Sequence, residues 1–317
     1  MREALTIQLG GLQLQGTRHN GTGKGTRAVL FLNFGYQPRS ARGDLSVLLA
    51  DELARAGYSC FRFDLPGLGD SDGEVPVEVL EFYQFVQEGG YADCAAKLAA
   101  ALQADYGVEE LVLLGLCGGA ITSIFAAPRL RAGRLLGLVL LDPQFFLYEG
   151  AEAAANKVQP ENSIRSLLRK RYAVVHDWLL ESRWEPFLSA GYGWCKRVAS
   201  RLRPNRLPRN ANLPLLAGAL SLLEQNVPVL AITAHPPSAL PPGFDYLQYL
   251  QKRSRNALRR VKISDTTHSF VENGGRAAVL QAVTSWLAQL LPAGSSQCNP
   301  EPVRLPSRPA ETQSMPA

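Results

Sequence analysis

Apolar positions along the chain fall into short unbroken runs separated by stretches of helical spacing. Residues 4–9 and 12–17 alternate apolar and polar around Gly10-Gly11, which predicts a hairpin. Residues 28–32, 111–114 and 135–141 are apolar runs of strand length, 58–63 and 227–233 read as further strands, and 260–264 reads as a last strand. Helical spacing covers 44–56, ending at the C-capping Gly57, and again 91–106, 244–258 and 275–291, the last with Trp286 on its apolar face. Apolar strands alternating with helices predict a parallel sheet covered on both faces, an α/β architecture. Residues 144–226 break this rhythm, being helical, aromatic and basic, with twelve Lys or Arg against five Asp or Glu between 151 and 210. They read as a helical lid inserted into a core made of residues 1–143 and 227–291. The Pro- and Ser-rich residues 292–317 read as a disordered tail.

The run 111–114 ends in Gly115-Leu116-Cys117-Gly118-Gly119, and a small-residue helix is expected from 117 to 126, with Pro128 just beyond. The spacing G-x-C-x-G at a strand-to-helix turn resembles the nucleophile elbow of α/β-hydrolases, with Cys where Ser is usual. Such a turn leaves no room for a side chain two residues before or after the nucleophile, hence Gly at both places. A helix starting at the nucleophile points its free N–H groups and its dipole at the thiol, which favours thiolate. The competing reading of Cys117 is a small buried thiol packed under the helix.

Composition narrows the classes. With 317 residues, 46% hydrophobic and 19% charged, the chain suits one large domain with an insertion, or two domains. A net charge of +5 and a pI near 9.0 are mildly basic and diffuse, so no nucleic-acid partner is expected. The start of the chain has no apolar segment of a signal peptide, and no run reaches the roughly 18 apolar residues of a membrane span. Cysteines 60, 94, 117, 195 and 298 form neither a CxxC pair nor a zinc spacing. No metal is expected, and the thiols read as reduced ones of a cytoplasmic protein. Gly23-Lys24 lies in a polar loop spanning 18–27, but Gly25 follows where a phosphate loop requires Ser or Thr, so the segment reads as an exposed turn and no cofactor is expected.

Four segments carry a broader likeness: Gly35-Tyr36-Gln37-Pro38-Arg39, Phe61-Arg62-Phe63-Asp64 through Gly69-Asp70-Ser71, the Cys117 turn, and Thr267-His268-Ser269-Phe270 with Trp286. In the order elbow, lid, strand, His loop, the chain resembles α/β-hydrolases of the serine aminopeptidase-like group. More narrowly it is similar to hydrolases that accompany exosortase and exopolysaccharide gene clusters. The resemblance implies a mostly parallel sheet of eight strands. It implies Cys117 as nucleophile and His268 as general base and acid, with backbone N–H groups of Gly118 and Tyr36 as the oxyanion hole.

Of the other histidines, His19 falls in the polar loop, His176 in the lid, and His235 beside Pro236. The family's acid lies just past the strand 227–233, where this chain has Ala234-His235-Pro236-Pro237 and no carboxylate. Asp142, at the end of the preceding strand, is assigned as the acid, and Asp245, beyond the Pro-rich loop, is the alternative. Asp64 reads as a loop organiser. Arg39 reads either as a residue at the site mouth or as a surface arginine.

The implied activity is hydrolysis of an ester or thioester by acyl transfer through Cys117. The alternatives are transfer of the acyl group to an amine or alcohol, and a catalytically weak accessory protein of a polysaccharide system. The partner is a small-molecule acyl substrate, anionic if the basic residues of 151–210 face it rather than solvent.

Overall fold

Period-two alternation decides which side of the sheet each helix covers. A computed structural model describes residues 1–21, 26–130, 134–147, 207–235, 244–254 and 257–290. The strands are β1 (Arg2–Leu9), β2 (Leu12–His19), β3 (Arg27–Leu32), β4 (Ser59–Phe63), β5 (Glu110–Leu116), β6 (Leu135–Leu141), β7 (Val229–His235) and β8 (Leu258–Ser264). They form one eight-stranded sheet in the order β1-β2-β4-β3-β5-β6-β7-β8. β2 runs antiparallel to both β1 and β4, and every pairing from β4 to β8 is parallel.

The helices are α1 (Leu45–Arg55), α2 (Val79–Gln87), α3 (Ala92–Tyr106), α4 (Gly118–Ala126), α5 (Leu213–Glu224), α6 (Tyr246–Gln251) and α7 (Asn273–Leu290). Along β5, Leu111 and Leu113 face a core shared with α3, α4 and α5, while Val112, Leu114 and Leu116 face one shared with α1 and α7. On that second side Trp286 of α7 closes against β6. A side chain on Gly137 would begin 2.8 Å from the Trp286 ring, so only Gly lets the ring approach so closely.

The elements depart from the sequence reading in three places. α2 lies in a segment for which no element is predicted. α6 is six residues long, and β8 starts at Leu258, inside the span predicted as helix. β2 runs past the expected alternation to pair His19 with Cys60, so His19 is a buried strand residue and not part of a polar loop. Its Nδ1 meets Asp51 at 2.7 Å and its Nε2 accepts from Arg62 at 2.8 Å. Burial lowers the His19 pKa despite Asp51, and the accepting Nε2 identifies a neutral ring. Most of the segment read as a lid, 148–206, and the tail from 291 onward lie outside the described residues. Within 207–226, α5 packs Leu215, Leu216 and Ala219 into the core, with Asn212 accepting from Leu215 N at 3.1 Å as its N-cap.

Candidate active site

The turn between β5 and α4 holds Cys117 at φ 52°, ψ −107°, a conformation costing a non-glycine residue about 1–3 kcal/mol. The surroundings fix it there. Cys117 N donates to Leu141 O at 2.9 Å, and its carbonyl accepts from Ile121 N at 3.1 Å. A Cβ on Gly115 would lie 2.1 Å from the Gly119 carbonyl carbon, and one on Gly119 would lie 2.6 Å from Leu32 O. Neither neighbour is flexible, so both glycines are required by space. The sulfur is buried and sits at the first turn of α4, whose leading N–H groups have no intrahelical acceptor.

The ladder between β5 and β6 pairs Leu116 with Leu141. The next residue on each strand is a candidate site residue, Cys117 on one and Asp142 on the other. Asp142 has a positive φ of 42° and is tied to the following strand by donation from its N–H to Ile232 O at 2.6 Å. Its Oδ2 accepts from Nδ1 of His268, in the loop after β8. That loop is braced by Glu272, which accepts from Thr266 Oγ1 at 2.6 Å and from Thr267 N at 3.1 Å. The Phe34 ring meets the His268 imidazole edge-on, with centroids 5.4 Å apart.

With Nδ1 committed to Asp142, the nitrogen left for chemistry is Nε2, which is buried and makes no formed hydrogen bond. Burial works against a charged ring here, yet the Cys117 thiolate and then Asp142 outweigh it, and the His268 pKa is pushed up to about 10. Cys117 therefore lies close enough to His268 to act on the ring both by charge and as a side-chain hydrogen-bond partner, with the geometry to Nε2 not fully formed.

The loop after β3 forms the opposite wall. The backbone nitrogen of Gly35 is 3.3 Å from where a Gly118 side chain would begin, so this loop abuts the nucleophile turn. Asn33 Nδ2 donates to Gln37 O and to Asp64 Oδ1, both at 3.1 Å, and Arg39 N donates to Asp64 Oδ1 at 2.5 Å. The fully buried Asp64 thus holds both ends of the turn that carries the Tyr36 amide. The Tyr36 side chain is engaged elsewhere, stacked on Phe82 with its hydroxyl donating to Pro76 O at 3.1 Å.

Arg39 is engaged within the loop rather than free at the surface. Its guanidinium pairs with Asp64 and Asp70, because a buried carboxylate needs a cation beside it. Asp245 is far from this chemistry: it caps α6 by accepting from Gln248 N at 2.9 Å and pairs with Arg260 at 2.6 Å. His176 and the His235 side chain lie outside the described residues.

Phe34 and Glu272 are neighbours of His268 that sequence reasoning missed. Glu272, just before the closing helix, was a legible signal as an N-terminal capping carboxylate. Phe34 left none. Among the described residues no three His, Cys, Asp or Glu side chains cluster to hold a metal ion. No described helix is long and apolar enough to cross a membrane.

Comparison with known proteins bears on the fold and the family. Solved structures match over most of the chain. The ferulic-acid-bound Est1E of Butyrivibrio proteoclasticus is 15% identical, with TM-score 0.55, over 90% of this chain and 99% of its own. DcsB, in complex with its substrate analogue, is 18% identical, with TM-score 0.56, over 92% and 100%. The Pyrococcus furiosus esterase Pf2001 is 14% identical, with TM-score 0.53, over 90% and 93%. At these identities they share the fold. No curated protein matches the sequence. The model of the alpha/beta hydrolase family matches residues 29–282. With the elbow, the parallel sheet and the match over most of its length, the chain belongs to the alpha/beta hydrolase family.

Proposed function

We propose that this alpha/beta hydrolase cleaves a small ester or thioester through a cysteine nucleophile, with Cys117, His268 and Asp142 as its catalytic residues. The observation that carries the reading is the strained Cys117 at the head of α4, electrostatically coupled to a histidine whose other nitrogen is held by Asp142. The Cys117 thiolate attacks the acyl carbonyl and a C–S bond forms while the carbonyl π electrons move to oxygen. Backbone N–H groups of Gly118 and Tyr36 receive that oxyanion. The intermediate collapses, the C–O or C–S bond to the leaving group breaks, and Nε2–H of His268 protonates it. Neutral His268 then takes a proton from water, which attacks the acyl-enzyme and releases the acid. Asp142 fixes the tautomer and faces the positive charge of the ring.

Esterase folds among the structural neighbours support the ester side of the reading. The excess of Lys and Arg in residues 151–210 supports an anionic substrate. The unpaired spacing of the cysteines supports a reducing, cytoplasmic setting. Likeness to hydrolases that accompany exosortase and exopolysaccharide gene clusters supports a role beside such a system. Intact-mass analysis after incubation with p-nitrophenyl esters and acyl thioesters tests the reading. An acyl adduct on Cys117 that decays in water is expected. A hydrolysed substrate with no adduct in any form, Cys117→Ala included, would sink it.

A further inference from the structure

One side chain of α2 has no role in the acyl-transfer steps, and it stands beside the atoms that have. Tyr83 lies one helical turn before Val86 on the same face of α2. Val86 Cγ1 is 3.3 Å from where a Gly118 side chain would begin, so this face of the helix is laid against the nucleophile turn. The Tyr83 hydroxyl reaches the other wall and lies 3.9 Å from where a side chain on Gly35 would begin. Gly35 precedes the Tyr36 amide, and its own nitrogen is 3.3 Å from the same Gly118 position. Gly35 and Gly118 thus lie against each other, with the Tyr83 hydroxyl beside Gly35 and Val86 of the same helix beside Gly118. Gly35 has φ +53°, so a residue with a Cβ there would be strained as well as directed at the phenol. The Tyr83 ring is held by edge-on contact with Tyr36, with centroids 6.4 Å apart, and with Phe82, at 6.0 Å.

We propose that Tyr83 is a third oxyanion donor, its hydroxyl joining the Gly118 and Tyr36 amides at the carbonyl oxygen of the acyl substrate. This rests on the reading of Cys117 as nucleophile. No proton is transferred by Tyr83. As the C–S bond forms and charge develops on oxygen, the phenol donates a hydrogen bond to it, and the bond is released when the intermediate collapses. Burial first, then the charge of Cys117, holds the phenol above its ordinary range, so it is a protonated donor throughout neutral pH.

The test compares wild type, Tyr83→Phe and Cys117→Ala in two assays: turnover of a p-nitrophenyl ester, and alkylation of Cys117 by iodoacetamide. Alkylation uses the thiolate but forms no oxyanion. Tyr83→Phe keeps the ring and its packing, so its melting temperature should match wild type. Its kcat should fall about a hundredfold, the loss seen on removing one oxyanion-hole donor, with KM and the alkylation rate within about twofold. Unchanged kcat in Tyr83→Phe while Cys117→Ala is inactive would overturn the inference and leave the Cys117 reading standing. An equal fall in the alkylation rate would also overturn it, by showing that Tyr83 acts on the thiol. Wild-type turnover in Cys117→Ala would overturn the Cys117 reading itself, and the inference with it.

Discussion

Cys117 is a small residue on a backbone that few residues adopt, so its side chain can be changed with little effect on packing. On the proposed mechanism Cys117→Ala removes the nucleophile and should abolish turnover and acyl labelling while circular dichroism and melting temperature stay close to wild type. Cys117→Ser should retain at most a small residual rate, because a neutral alcohol does not form the ion pair on which the step depends. The same pair sets a pH dependence. Histidine ordinarily titrates near 6.5, and here His268 is held up to about 10. Its pairing therefore adds stability that is fully present below about 6.5 and is lost as pH rises through about 10. In Cys117→Ala, where the thiolate that most favours the charged ring is gone, the His268 titration should move down toward its ordinary value. The Cε1–H resonance followed against pH measures this, and an unmoved midpoint would contradict the coupling. Asp142→Asn should lower kcat about a hundredfold by misplacing the imidazole. Asp245→Asn should leave turnover unchanged, since Asp245 serves α6 and Arg260.

Among the elements, α7 and the His268 loop before it bear on both stability and chemistry. Trp286→Ala empties the space against β6 and should cost about 3–5 kcal/mol in urea unfolding, with activity of the remaining folded protein intact. Glu272→Gln weakens the brace on Thr266 and Thr267, so turnover should fall more than the melting temperature does. The Thr266 hydroxyl, against a burial effect of opposite sign, leads in holding the Glu272 carboxyl down to about 2. The brace is therefore at full strength above about 4.5 and fails only as pH drops through about 2. Most elements were legible in the sequence because apolar runs and helical spacing are direct consequences of burial. β5 and β6, buried on both faces, read as unbroken apolar runs. α2 was not legible. Its apolar positions at 79, 82, 83 and 86 come after a loop dense in Gly, Ser and Asp, and no capping residue announces it. β8 begins inside an expected helix because its residues alternate charged and apolar, a pattern that short segments share with a helix surface.

For the whole molecule, the sheet brings together residues that the sequence separates by more than a hundred positions. The spacing around Cys117 and the bare end of strand 227–233 were enough to raise Asp142 as a candidate beside Asp245. Its contact with His268 was an expectation from its place at the end of the strand beside the elbow strand, whereas the path of the loop after β8 that makes the contact was not legible. Tyr83 and Phe34 were invisible for the same reason: their place in the site is set by packing across elements, not by local spacing. The pairing of Leu116 with Leu141 has a mechanical consequence. Cys117 and Asp142 ride at the ends of two hydrogen-bonded strands and cannot drift apart without breaking the sheet. The His268 imidazole hangs from a loop, so of the three residues proposed to react it is the one that can move. A change in the loop that carries His268 would therefore move the imidazole alone, while Cys117 and Asp142 keep their alignment.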